Sequence, residues 1–427
     1  MSDGDSRKLR VAVVGGGVAG IVSAYLLQHK YQVSLFEQNH YLGGHTNTIE
    51  IKDGPDAGLA IDTGFIVLND ATYPLFQKFL AQLGVATRNS EMSFGFQCLQ
   101  SGFVYAGNNL NGLFAQRSNL LSLKFYRFLL EIARFNKQAR QDLAAEAVPH
   151  ETLGEYLQRG NFSKFMSTHY LLPMAAAIWS TPTLRAAEFP AESFLRFFDN
   201  HGLLSFYNRP QWKTVVGGSY SYIKAFSKTF TGDILLNAGV ENVFRTETGV
   251  RLQLSDGRSE WFDRLVIATH ADQALRLLGD PSLDEQRLLA PWQYQLNRTV
   301  LHTDASLLPP QRAAWSAWNF TREAAQGTED HPVFVSYYMN RLQGLKAQRD
   351  YCVTLNRSES FHPETVIAEF AYQHPQYSFS SLSTQAGLPS LNGVLNTWFC
   401  GSYFGYGFHE DAVRSAVAVG KALGVDL

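Results

Sequence analysis

The sequence predicts an α/β protein in which a doubly wound domain is interleaved with an α+β domain. Three observations point there. A glycine-rich turn joins an apolar strand to a helix near the start, a long helical section interrupts the chain, and strand-to-helix patterns return near residues 265 and 400. A chain of 427 residues is long enough to bury more than one core. The expected division gives residues 9–85, 210–285 and 390–427 to the first domain, and 86–209 and 286–389 to the second.

Residues 10–37 read as one βαβ unit: the strand RVAVV, a glycine turn, a helix through Leu27 and a strand ending in VSLFE. From about 110 to 205 the pattern is mostly helical. There LLSLKFYRFLLEIARFNKQAR repeats Lys124, Arg127, Glu131, Arg134 and Gln138 every three or four residues as one polar stripe. Residues 213–270 turn to strands and close in DRLVIATHADQAL, and 290–360 alternate aromatic strands (TVLHTD, VFVSYYMN, YCVTLN) with loops. Neither a repeat nor a low-complexity linker appears, so the two domains are expected to share several chain crossings.

Composition excludes some classes. A net charge of −2 with 17% charged residues gives no electrostatic case for nucleic acid. Cys98, Cys352 and Cys400 are isolated, so neither a disulfide framework nor a zinc site is expected, and a reducing cytoplasm suits the chain. The polar opening MSDGDSRKLR does not read as a signal peptide, and the apolar run YLLPMAAAIW is too short to span a bilayer.

Gly15, Gly17 and Gly20 form GxGxxG between strand and helix. Glycine is needed because the turn is tight, the backbone must approach a pyrophosphate, and the helix must pack closely on the strand. Val18 and Ala19 open that helix, whose free N–H groups and dipole favour an anion. Glu37, followed by Gln38, closes the second strand where a carboxylate accepts ribose hydroxyls. A second glycine pair, Gly43 and Gly44, leads into His45 and Thr46, and IDTGFIV then brings Gly64, Phe65 and Ile66.

With that second pair the chain resembles the flavin (FAD) amine oxidase-like superfamily, in which the Gly-Gly turn meets the FAD pyrophosphate and ribityl. His45 stands where an arginine is usual. GGHTNT, DTGFIVLNDATYPLF, LLPMAAAIWS, RPQWKTVVGGSYSY, ATHADQAL, VSYYMNRLQ and CGSYFGYGFHEDA are most similar to a subgroup described as predicted NAD/FAD-binding proteins, related to the N-terminal region of plant cyclopropane-fatty-acid synthases. The resemblance runs from the first strand to the last helix. It implies a Rossmann-like FAD-binding domain interleaved with an α+β substrate domain, and FAD as cofactor.

By the same resemblance Gly401 and Ser402 end the last strand near the ribityl phosphate, although an acid is usual where Ser402 stands. Phe408 matches one wall of an aromatic cage beside the flavin, and the N–H of His409 faces the flavin N1 and C2 carbonyl. Val240 matches a valine bordering the adenine and reads equally as a plain strand valine. Relatives use a lysine near the flavin N5; the corresponding strand, QLNRTVLHTD, offers Asn297 or Arg298.

Candidates for proton chemistry are therefore His409, Glu410, Tyr406 and Asn297. His302 and Asn340 are candidate cavity residues, His270 reads as a cap, and Cys400 as a small buried hydrophobe. The segment 165–207 is aromatic and poor in charge, which suits either a hydrocarbon substrate or plain core packing. The resemblance implies acyl-chain chemistry beside a methyltransferase partner, and the basic helix within 120–140 is a candidate for peripheral contact with the inner membrane face. The expected activity is FAD-dependent oxidation, desaturation or double-bond isomerisation of unsaturated or methyl-branched acyl chains. Amine or amino-acid oxidation, or a flavin-bound accessory role, is the alternative.

Overall fold

The apolar run of the first strand, Arg10–Val14, is buried because parallel strands flank it on both sides, which is what a continuous hydrophobic strand requires. The computed structural model describes residues 8–205, 207, 209–323 and 334–427. The parallel sheet has five strands in the order Asp233–Leu235, Gln32–Phe36, Arg10–Val14, Arg264–Ile267 and Thr397–Phe399. Helices Val18–Leu27 and His409–Ala422 pack against one face, burying Ile21, Val22, Val413, Ala416 and Val419. A side chain at Gly20 would overlap the Gly15 carbonyl oxygen, so glycine there sets how closely the first helix lies on the turn.

A second, seven-stranded sheet runs Val366–Gln376, Gln293–His302, Cys352–Leu355, Val335–Tyr338, Trp318–Arg322, Phe94–Cys98 and Val104–Ala106. Its pairs are antiparallel except that Trp318–Arg322 runs parallel to Phe94–Cys98. Beside it lie helices from residue 110 to 200, the longest being Leu123–Ala144, which Ser122 caps by accepting the Phe125 N–H. That helix buries Phe125, Phe128, Ile132, Phe135 and Ala139. Its polar stripe is partly engaged: Glu131 accepts the Ser163 N–H, Arg134 donates to the Gly160 and Asn161 carbonyls, and Lys124 lies over the Phe165 ring.

One local expectation fails. Residues 213–270 are not all strand, because Gly217 and Gly218, both at positive φ, end the strand Trp212–Val215 and a helix Tyr220–Thr229 follows. Its Tyr222, Ile223 and Phe226 pack inward at helical spacing. A further strand, Val366–Gln376, follows the expected aromatic strands and carries two residues of the site below. Among the described residues no helix is long and apolar enough to cross a membrane.

Candidate functional site

One cavity of about 1720 Å³ runs from the first glycine turn to the helix Leu123–Ala144. That exceeds the range of about 300–1,000 Å³ usual for a single small ligand, so it has room for two ligands end to end.

The cofactor half is made of backbone. Gly15, Gly17, Val18 and Ala19 line it at the N-terminus of the first helix, which has no side-chain cap and no acid in its first turn. A Cβ on Gly17 would meet nothing within 4 Å. The open turn and uncapped N–H groups therefore fit a pyrophosphate. Gly43 and Gly44, both at positive φ, pack across this turn, and the Gly43 N–H donates to the Gly16 carbonyl at 2.8 Å. Glu37 reaches the cavity while its carboxylate accepts N–H groups of Gly16 (2.8 Å) and Asn39 (2.9 Å), so it also fixes the turn. Gln38 and Val240 border the same end.

Further along the wall lie His45, Gly64, Phe65, Ile66, Gly401, Ser402, Phe408 and His409. Gly64 is pressed against the His45 carbonyl, which accepts the Phe65 N–H at 2.7 Å. Gly20 and Thr46 do not reach the cavity. Gly20 packs helix on turn, and Thr46 lies behind His409, sharing a hydrogen bond of 3.0 Å with its Nε2.

The candidate proton-transfer residues are placed very differently. His409 stacks on Phe65 at 3.6 Å, and burial pushes its pKa down to about 3. It stays neutral and does not titrate near neutral pH. Glu410 faces away from the cavity and caps the helix Pro74–Gln82, accepting the N–H groups of Leu75 (3.0 Å) and Phe76 (2.9 Å). Tyr406 does line the cavity, its pKa raised by burial.

Asn297 is fully buried on the same face of the sheet as its cross-strand partner Tyr372 and its hydrogen-bond partner His374, behind the cavity wall rather than on it. Its amide oxygen accepts the Asn356 side-chain N–H, so its NH₂ donates to the Gln295 carbonyl and, at 3.1 Å, to His374 Nδ1. Asn297 thus orients His374 and leaves that ring's proton on Nε2. His302 is bonded to Thr354 in the second sheet, and Asn340 to Arg349 and Tyr351; neither lines the cavity. His270, the residue before the helix Ala271–Leu277, does line it, stacked on Tyr294 at 4.2 Å.

The sequence reading missed His374 and Tyr372. Together with His45 and His270 they form a polar wall, with His45 5.1 Å from Tyr372, 5.3 Å from His374 and 6.0 Å from His270. Burial, then the neighbouring rings, drives His45 well below its ordinary pKa, and burial lowers His374 to about 4. His45 Nε2 and His270 Nδ1 are buried without a protein partner, which suits a polar ligand against this wall.

Across the cavity the wall is aromatic. Phe408 stacks on Phe197 at 4.9 Å, Phe197 meets Trp179 at 4.9 Å, and the Trp179 indole donates to the Tyr406 carbonyl at 3.3 Å. Tyr170, Met174, Ile178, Leu129, Leu113 and Leu110 continue it to the far end. Among the described residues the carboxylates of the cavity are Glu37 and Glu241, both at the end of the first glycine turn, and the one guanidinium of the far half is Arg209.

The model of the family described as flavin containing amine oxidoreductase matches residues 18–422. An L-amino-acid oxidase of Siganus canaliculatus is 24% identical over 293 residues, 66% of this chain and 53% of its own length, so the chain spans about half of that relative. A 4,4'-diapolycopen-4-al dehydrogenase of Metabacillus indicus is 38% identical over 69 residues, 15% of this chain and 14% of its own. Among solved structures, a triple mutant of putrescine oxidase has a TM-score of 0.70 at 15% identity, covering 97% of this chain and 98% of the other. The CLA-producing fatty acid isomerase from P. acnes has a TM-score of 0.68 at 16% identity, again covering 97% and 98%. At such identities the likeness is one of fold.

Proposed function

The chain belongs to the family of flavin-containing amine oxidoreductases and is an FAD-dependent oxidoreductase; we propose that its substrate is a long, apolar acyl chain, oxidised, desaturated or isomerised at a carbon–carbon bond. The observation that carries this is the charge of the far half of the cavity, which is lined by aromatic and aliphatic side chains and has no carboxylate among the described residues. A protonated amine there would be a buried cation without a counter-ion, which is strongly unfavourable. A hydrocarbon needs no partner.

Arg209 lies at this end, close enough to Tyr170 to act on its titration, and suits the carboxylate or phosphate head of an acyl compound. Bound FAD supplies a two-electron acceptor at the cofactor half. The chain's own residues bind, orient and exclude water. Trp179, Phe197 and Phe408 form a wall against which a chain extends, and the neutral histidines opposite offer ring N–H donors rather than charges. His374, with its proton held on Nε2 by Asn297, is the side chain best prepared to donate a hydrogen bond across the cavity.

The test is an anaerobic visible spectrum of the flavin-loaded protein before and after cis-unsaturated or methyl-branched fatty acids in detergent. Bleaching supports acyl oxidation, and an unchanged spectrum with a moved double bond in the recovered acid supports isomerisation. Hydrogen peroxide formed from amines, with neither of those effects, would return the protein to amine oxidation. Bound flavin that no acyl compound or amine alters would favour an accessory role beside a methyltransferase.

A further inference from the structure

The helix Leu123–Ala144 buries one face, yet its opposite face carries leucine where solvent should select polar residues. Leu123, Tyr126, Arg127, Leu130, Arg134 and Lys137 follow at spacings of three, four and seven, so they share that outer face. Leu123 is 81% exposed and Leu130 70%. The preceding turn adds Leu121 at 92%, and the short helix Leu110–Leu113 adds Leu110 at 75%. These pieces are held together: the Tyr126 hydroxyl donates to the Leu120 carbonyl at 3.0 Å, Phe114 packs on the Tyr126 ring, and Arg117 donates to the Asn111 side chain and the Phe114 carbonyl.

Two properties decide what covers this face. The first is charge: between Glu91 and Glu131 the sequence has no carboxylate but has Arg117, Lys124 and Arg127. A second copy of the chain would bring the same patch against itself about a two-fold axis and set like charges together. An anionic lipid surface meets the cations and takes up the leucines. The second is position. Leu110 is both exposed and part of the cavity wall, and Leu113, Leu129 and Ile132 line the cavity just beneath the patch. Arg209 lines the cavity together with Tyr170, whose ring packs on Phe128 of the long helix.

We propose that the face built from residues 110–130 docks on an anionic bilayer and seats the far end of the cavity at the lipid surface, so that an acyl chain enters without crossing water. Its purpose rests on the acyl reading above, but its measurement does not. Flotation of the flavin-loaded protein with fully saturated phosphatidylglycerol vesicles presents the surface without a double bond, whereas bleaching by detergent-dispersed acids tests the substrate alone.

Binding to phosphatidylglycerol vesicles should be ~100-fold tighter than to phosphatidylcholine vesicles, as three cations at a charged surface imply, and should weaken at high salt. The double variant Leu121→Glu/Leu123→Glu, at exposed positions outside the cavity, should keep its flavin and bind these vesicles at least ~10-fold more weakly. Arg117→Gln/Arg127→Gln should reduce the preference for anionic vesicles. Absence of flotation with phosphatidylglycerol, or flotation unchanged in the leucine variant, would overturn the proposal. So would a dimer in lipid-free solution that the leucine variant abolishes, which would put a second copy on this face.

Discussion

The two ends of the cavity are built from opposite materials. At the cofactor end, Gly15, Gly17, Gly43 and Gly44 bring main-chain groups to the surface, and side chains such as Glu37 hold the turns in place. At the far end Trp179, Phe197, Tyr170 and Leu129 supply bulk and almost no charge. A backbone site is intolerant of added atoms, whereas a side-chain site is shaped by which atoms are there. The first half therefore recognises one fixed ligand, while the second admits a class of ligands.

The sharpest way to break the contrast is within the cofactor end. Gly20→Val would drive the first helix off its strand and should abolish folding and flavin retention together. Gly17→Val has free space around its Cβ, so it should keep the fold and lose visible flavin absorbance after gel filtration. If Gly17→Val still copurifies with full flavin, the pyrophosphate does not lie over that turn.

At the far end, Trp179→Ala removes a side chain only 5% exposed and should cost about 3–5 kcal/mol in chemical denaturation. Flavin content should be unaffected. A variant that loses flavin in parallel would mean that the two halves are not separately built.

The histidine wall gives a pH signature. His45, His374 and His409 stay neutral when folded, while in the unfolded chain histidines take up protons near pH 6.5. Below that pH the unfolded state binds more protons, so stability is complete above about 6.5 and falls as pH drops toward about 4, where His374 itself protonates. His374→Gln should reduce the fall of the melting temperature over that window without abolishing it, since His45 and His409 still contribute. The smallest effect belongs to Arg209→Gln: at an exposed position it should change stability by less than about 0.5 kcal/mol. It should raise KM for a free acid several-fold while leaving kcat nearly unchanged.

Legibility in the sequence follows the same divide. The glycine turns are local, so the spacing around Gly15, Gly43 and Gly64 is legible in the sequence, and the fold brings all three to one cavity. The polar wall gathers His45, His270, Tyr372 and His374 from separate elements, and no local pattern announces that meeting. Glu410 shows why: its partners are N–H groups of Leu75 and Phe76, more than 330 residues earlier in the chain. Asn297 fails for a simpler reason: it lies on the cavity side of its sheet, but His374, from the neighbouring strand, stands between it and the ligand. His409 lines the cavity, but its stacking on Phe65 and its burial, which keep it neutral, are tertiary facts that its sequence neighbours do not carry.

The order of strands in the parallel sheet has a consequence for synthesis. Val14 waits for Ile267, and Ile267 for Phe399, before the edge beside the glycine turn is complete. A growing chain can form its first βαβ unit early, yet Gly401, Ser402, Phe408 and His409 leave the ribosome among the last residues of this sequence. The flavin site therefore lacks one of its walls until the two ends of this sequence have met, and flavin should bind only after the parallel sheet has closed.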